Sequence, residues 1–356
     1  MRSTVFLLLV GLLGLNTCVK EITFEVDKIG GQLVVDGLFT NDTSTQVVRI
    51  GRAALQDRIP IPVQDAEVSI INGEGWEAYY SESAEKPGTY LLPFGRMPAE
   101  PGQSYHLRVR LANGTIYESI PEVMPAAPGR LERSYYELEK RAVVKEGAIL
   151  TEELFINIRA DVDLTAAPAA PYFLRWDVEE VYKLSPTDFP DPFGFTPPPC
   201  YVYVYTSGDD LNLYDSRENA PARLTNFALG SQRIDNTFIE KHWFSVYQRS
   251  LTLAAFAYFN KIDQLLANTG TIFDTPPAPV PGNMRNVQQA DEEVLGYFTV
   301  ASSQVQRFAT YRFDIPIEME DECLYNSWKP SSMDYPRRCL RCETVRNSTF
   351  VRPDFF

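Results

Sequence analysis

The chain has 356 residues, 44% of them hydrophobic, including 19 Tyr and 21 Phe, a supply of core-forming side chains that excludes a disordered polymer. Its 47 acidic residues outnumber 33 basic ones, giving a formal charge of −14, which argues against a nucleic-acid partner because phosphate binding needs a basic stripe. Two histidines in all leave little material for a histidine-dependent triad or a metal centre, and no metal site or cofactor is expected.

The N-terminus reads as an export signal. Arg2 precedes an apolar run from Val5 to Leu15 that ends at Asn16-Thr17-Cys18 and turns charged at Lys20-Glu21. A membrane span needs roughly 20 apolar residues, so the run is too short to stay in a bilayer and fits a signal-peptide core. Residues 1–17 are therefore expected to be a lipoprotein signal peptide, with Cys18 the lipidated first mature residue and 18–30 the anchor and linker. Several acyl chains on one cysteine give stable anchoring. Leu15 suits a lipobox, whereas Thr17 stands where Gly or Ala is usual, so plain cleavage is the alternative. Lys20-Glu21 fits a short charged surface-export signal. The expected location is the outer membrane, lipid-anchored at the cell surface, with the periplasmic face as the alternative. Removing residues 1–17 leaves the charge one unit more negative, since Arg2 is their only charged side chain. What remains exceeds the size at which one core usually splits, so two domains are expected.

Over residues 31–125, short runs rich in Val, Ile and Tyr alternate with Gly, Pro, Asn and Asp: 31–39, 45–50, 66–71, 76–81, 89–93, 104–111 and 115–120. Seven strands at this spacing predict an immunoglobulin-like β-sandwich. The clearest piece alternates Tyr105, Leu107, Val109 and Leu111 with His106, Arg108 and Arg110, then turns at Asn113-Gly114 into Ile116-Tyr117. Alternation buries one face, and Asn-Gly supplies the positive φ of a tight hairpin. His106 falls on the polar face, without a local acidic or thiol partner, and reads as a solvent-facing strand residue.

Residues 130–356 predict a larger antiparallel β domain with one packed helix, so the fold class is mainly β. Strands are expected at 154–158, 172–184, 201–205, 234–239, 243–248, 294–300 and 307–313. A helix near 252–268 follows from the N-cap Thr252 and from Ala255, Phe259, Ile262, Leu265 and Leu266 at three-to-four spacing. Two Pro-rich loops, 186–199 and 274–282, are stiff connections. The first carries Phe189, Phe193 and Phe195, candidates for a partner or ligand contact, with packing back over the core as the alternative. Tyr201, Tyr203 and Tyr205 share one strand face and form either a ring ladder for a ligand or a packed sheet face. His242 is expected to be structural. The acidic clusters 209–210, 291–293 and 320–322 lack the ligand alternation of a calcium loop and read as solvated surface.

Besides Cys18 there are four cysteines, Cys200, Cys323, Cys339 and Cys342, an even number that in an exported chain implies two disulfides with three pairings open. A bridge from Cys200 to the C-terminal segment is favoured. No phosphate loop, nucleophile elbow or paired-histidine motif occurs, so no catalytic residue is named; a carboxylate-pair glycosidase is the remaining enzymatic reading.

Several motifs resemble a known family. Leu33-Val34-Val35-Asp36-Gly37, Pro62-Val63-Gln64-Asp65-Ala66-Glu67-Val68, Gly88-Thr89-Tyr90 and Gly102-Gln103-Ser104-Tyr105 come first. Cys200-Tyr201, Pro281-Gly282-Asn283-Met284-Arg285-Asn286, Val294-Leu295-Gly296-Tyr297-Phe298, Cys339-Leu340-Arg341-Cys342 and Arg352-Pro353-Asp354-Phe355 follow. Together they resemble an uncharacterised Bacteroidota outer-membrane lipoprotein family, the DUF4249 type, whose members are commonly encoded beside TonB-dependent receptors. The resemblance implies a non-enzymatic accessory role in substrate capture or uptake, with a TonB-dependent receptor as partner. A structural or adhesive cell-surface lipoprotein is the alternative.

Overall fold

The computed structural model describes residues 31–54, 60–145, 149–190, 196–205, 211–267 and 279–356. The expected signal peptide, Cys18 and the linker to residue 30 lie outside the described residues, as do Phe193, Phe195 and residues 274–278 of the second Pro-rich loop. Among the described residues no helix is long and apolar enough to cross a membrane.

The fold is mainly β. Ten strands come first: β1 (Leu33–Thr40), β2 (Gln46–Arg52), β3 (Ile61–Pro62), β4 (Glu67–Asn72), β5 (Glu77–Tyr79), β6 (Ser81–Glu82), β7 (Thr89–Leu92), β8 (Ser104–Arg110), β9 (Ile116–Ser119) and β10 (Glu122–Val123). There follow β11 (Arg130–Lys145), β12 (Ile149–Asp163), β13 (Phe173–Leu184), β14 (Cys200–Tyr205), β15 (Asn212–Asp215), β16 (Arg223–Arg233) and β17 (His242–Leu251). Helix α1 (Leu253–Ala267), β18 (Met284–Asn286), β19 (Phe298–Thr310), the short helix α2 (Arg337–Leu340) and β20 (Ser348–Thr349) complete the order.

The predicted hairpin is present: Tyr105, Leu107 and Val109 are buried while their neighbours are not, and Gly114, at φ +87°, closes the turn into β9. This layer packs face to face on β1, β2 and β7. Leu33, Val35, Phe39, Val48 and Tyr90 from one sheet meet Ile70, Tyr105, Leu107 and Tyr117 from the other, and alternate inward residues make the core of a sandwich.

The expected boundary at 125–130 does not separate two sheets. β19 lies parallel to β1, with Gly37 opposite Phe298 and Thr40 opposite Ala301, and antiparallel to β17 on its other side. One continuous sheet therefore runs β20-β14-β13-β17-β19-β1-β2-β7-β6, with β15 and β3 attached. β18 extends the opposing layer through β9. Strands from beyond residue 280 thus complete the N-terminal sandwich, and Phe298 and Val300 are fully buried in its core.

A second core forms where β11, β12 and β16 cover the sheet at β13 and β17, around Ile156, Ile158, Val162, Trp176, Phe244 and Val246. β19 spans both cores on one face. Between Val300 and Phe308 that face is polar: Ser302 Oγ donates to the Pro125 carbonyl, Gln304 Nε2 to that of Gly129 (2.7 Å) and Gln306 Nε2 to that of Leu131 (2.8 Å), fastening the crossing between lobes. α1 packs on the opposite face, with Ala255 and Phe256 against Phe173, Leu251, Tyr297 and Ala301; Thr252 caps it, accepting from the Ala255 amide (3.1 Å).

One expected strand is corrected. Residues 234–239 form a 3-10 turn at Asn236–Phe238 capped by Asp235, not a strand, because the Asp235 side chain accepts the Thr237 amide and curls the backbone. The strand beside it is β16, and its partner β12 pairs with the long β11. β11 is held on β12 by an antiparallel ladder from Arg130 opposite Asp163 to Lys145 opposite Ile149, flanked by cross-strand charge pairs including Arg133–Asp161 (2.6 Å), Lys145–Glu153 (3.0 Å) and Arg159–Glu137 (3.5 Å).

A fragment ending at residue 125 lacks β18 and β19 and exposes the edges of β1 and β9. It is expected to give no cooperative urea transition, whereas the chain from residue 31 to 356 unfolds in one step in both tryptophan fluorescence and circular dichroism.

Candidate functional site

Three places bring functional side chains together. The first is the seam where residues 281–298 return to the N-terminal sandwich. Asn283 is buried and its amide mimics a strand: Nδ2 donates to the Phe298 carbonyl (2.9 Å) and Oδ1 accepts the Phe298 amide (2.9 Å). Gly282 and Gly296 permit the approach, because a Cβ at Gly282 would collide with the Gly296 carbonyl and one at Gly296 with the Val35 carbonyl, and Gly296 has φ +81°. Asn286 and Tyr117 both donate to Glu292, Tyr117 at 2.9 Å. Burial, reinforced by that carboxylate, pushes the Tyr117 hydroxyl up to about 12.

Beside this seam a groove of about 230 Å³ opens between α1 and residues 280–283. Its inner wall holds Glu122, only 6% exposed. Tyr297 Oη donates to Glu122 Oε1, while Oε2 makes no hydrogen bond of good geometry among the described residues, although the Thr252 hydroxyl and the Val300 amide act on the carboxyl. Burial raises the Glu122 pKa above its ordinary 4.5, opposed in part by the Tyr297 and Thr252 hydroxyls and the Val300 amide. Burial and then the Glu122 charge likewise raise Tyr297. Lys261 stands on the α1 side of the groove.

The second place is the sheet face under α1. Arg175 and Arg249 are cross-strand neighbours, and Asp177 pairs with both, at 2.7 Å from Arg175. Like charges directly opposite are unfavourable, and burial together with Arg175 brings the Arg249 guanidinium down to about 10. The Phe259 ring 4.2 Å from Arg175 and the Tyr247 ring 5.0 Å from Arg249 shield the pair.

The third place is the C-terminal segment. Disulfides join Cys200 to Cys342 and Cys323 to Cys339, the first as favoured from the sequence. Phe189 packs between Tyr325 and Tyr335, ring centroids 5.8 and 5.3 Å away, and the Thr187 amide donates to the Cys339 carbonyl (2.6 Å). Tyr201 is buried against Phe356 (4.9 Å), and Tyr203 is half-buried on the same strand face. These rings therefore fill the fold around the disulfides, the packing alternative; Tyr205 belongs to β14, and its side chain is outside the described residues. What the segment displays instead is Leu324 (68% exposed), Trp328 (90%) and Met333 (91%), all within the loop closed by Cys323–Cys339. Sequence patterns do not signal them, because exposure of single apolar residues follows no periodicity.

The histidines are accounted for structurally. His242 Nε2 lies 2.8 Å from Glu180 Oε2, both side chains 2% exposed, with its ring stacked on Phe238 (4.2 Å). His106 is half-buried beside Arg108, Glu118 and Glu77, and burial lowers its pKa. Among the described residues no group of three or more His, Cys, Asp or Glu is placed to hold a metal ion.

A family model described as a domain of unknown function, DUF4249, matches residues 19–307. That span takes in the N-terminal sandwich, the Glu122 groove and nearly all of β19. No curated protein matches the chain.

Replacing Asn283 with Ala strands a buried amide and a buried carbonyl and should cost about 2 kcal/mol or more in urea unfolding, and Gly282→Ala about 3 kcal/mol or more through overpacking. The fold raises the Glu122 pKa, so this group's contribution is full below 4.5 and is lost as pH rises through the raised value. Glu122→Gln should flatten that part of the profile of urea midpoint against pH and leave the rest unchanged.

Proposed function

We propose, on the premise that the chain belongs to the DUF4249 family, that it is a non-enzymatic lipoprotein of the outer membrane, anchored through Cys18. In this reading it docks on a TonB-dependent transporter and helps capture or retain that transporter's substrate. The observation that carries the docking part is the loop closed by Cys323–Cys339, which holds Leu324, Trp328 and Met333 in solvent. A scattered exposed Leu is ordinary on any protein surface; a tryptophan and a methionine about nine-tenths exposed on one cross-linked loop are not. A disulfide-closed loop loses little conformational freedom on association, and tryptophan is the residue type most enriched at binding hot spots.

The surrounding chemistry supports this reading. Inside the loop, the Asn326 amide donates to Tyr335 Oη (2.8 Å) and Ser331 and Asp334 cap a 3-10 turn, so the apolar groups sit on an internally braced support.

Purification of the natively anchored chain in mild detergent should bring down an outer-membrane β-barrel in a near-stoichiometric amount, and the double variant Trp328→Ala, Met333→Ser should lose it while remaining folded. A clean monomer in repeated gentle extractions would overturn the reading and favour a free-standing structural or adhesive lipoprotein, whose deletion alters attachment and leaves uptake unchanged.

A further inference from the structure

The groove between α1 and residues 280–283 has no part in the docking reading, yet it has the features of a built site. Its inner end is a carboxyl group 6% exposed with one oxygen making no hydrogen bond of good geometry among the described residues. Its α1 wall is Ala254, Ala257, Tyr258 and Lys261, residues at i, i+3, i+4 and i+7 that fall on one helix face. The two alanines leave space and the lysine supplies charge. Lys261 is exposed and makes no ion pair among the described residues. The opposite wall is apolar at Ile120, Val280 and Pro281.

We infer that this groove binds a small α-amino acid as its zwitterion, the ammonium group donating to Glu122 and the carboxylate facing Lys261. Three observations select that class. The space, about 230 Å³, falls below the roughly 300–1,000 Å³ of sites for drug-sized molecules, so the guest is small. The groove carries one acidic and one basic side chain with apolar walls between them. A simple amine leaves Lys261 unopposed, and a simple carboxylate brings no cation to the Glu122 carboxyl. Burial holds Glu122 toward its neutral form, and an ammonium group in contact restores the charge. The seam stiffens one wall: Tyr297 follows Gly296, Asn283 follows Gly282, and both Tyr297 and Asn283 line the groove, with Tyr297 holding the Glu122 carboxyl.

The test is isothermal titration calorimetry on the full chain with L-alanine and L-leucine, with ethylamine and propionate as single-charge controls. The expected result is saturable binding of at least one amino acid, at least tenfold tighter than either control. Glu122→Gln and Lys261→Glu should each weaken it at least tenfold, and Ala257→Phe, at an exposed position, should abolish it by filling the groove. Lys261 is exposed, and an unchanged melting temperature in Lys261→Glu separates loss of binding from loss of fold. Absence of saturable binding by either amino acid overturns the inference, as does affinity unchanged in both charge variants. Equal affinity for ethylamine and L-alanine overturns the zwitterion assignment. The Trp328→Ala, Met333→Ser variant should bind as the parent does, so the outcome is separable from that of the docking experiment.

Discussion

The architecture depends on one contact: the seating of β19 beside β1. Asn283 holds the Phe298 backbone by both its amide hydrogen and its carbonyl, and Gly282 and Gly296 let three backbone segments come within a spacing no side chain would allow. Once Phe298 is placed, Val300 enters the N-terminal core, Ser302, Gln304 and Gln306 secure the crossing at 125–132, and Phe308 packs on the second core. A single strand thus transmits order from one sandwich to the other. A buried amide satisfied on both sides is also directional, since a shift of one residue would leave donor and acceptor unpaired, so the contact specifies register as well as stability.

The same seam shapes the groove. Glu122 sits on the short β10 and Tyr297 just before β19, while Lys261 comes from α1; the three meet only because the return segment folds onto the N-terminal sandwich. Burying a carboxyl is costly, and the Tyr297 hydroxyl of the seam supports it together with the Thr252 hydroxyl and the Val300 amide. The Glu180–His242 pair shows the contrasting solution in the second core, where Gln232 and aromatic stacking close off the polar atoms. The C-terminal disulfides play a corresponding part at the far end of the large sheet, where Cys200 of β14 is tied to Cys342 and the closing segment is held against the sheet.

How far the sequence could be read varied with the physics of each element. The β8–β9 hairpin was legible because strict alternation and Asn-Gly are local signals, and α1 because its apolar residues repeat at helical spacing over four turns. β11 was not legible: half of its side chains are exposed and it is placed by its ladder to β12, which no window of its own residues contains. The parallel pairing of β1 with β19 joins segments from opposite ends of the chain and leaves no periodicity. Pro281–Asn286 and Val294–Phe298 carry no periodic signal of their own, and their role lies in the approach of Gly282 to Gly296. Phenylalanine and tyrosine suit a surface or a core equally, and for Phe189 and Tyr201 burial decides for the core.

Native-state hydrogen exchange, read strand by strand, tests the central claim most directly. If β19 binds the two sandwiches into one unit, the protected amides of β1, β17 and β19 exchange through the same global opening, with a common free energy and a common denaturant dependence. Exchange of β13 and β17 through an opening distinct from that of β1 and β8, with β19 following only one of them, would contradict it.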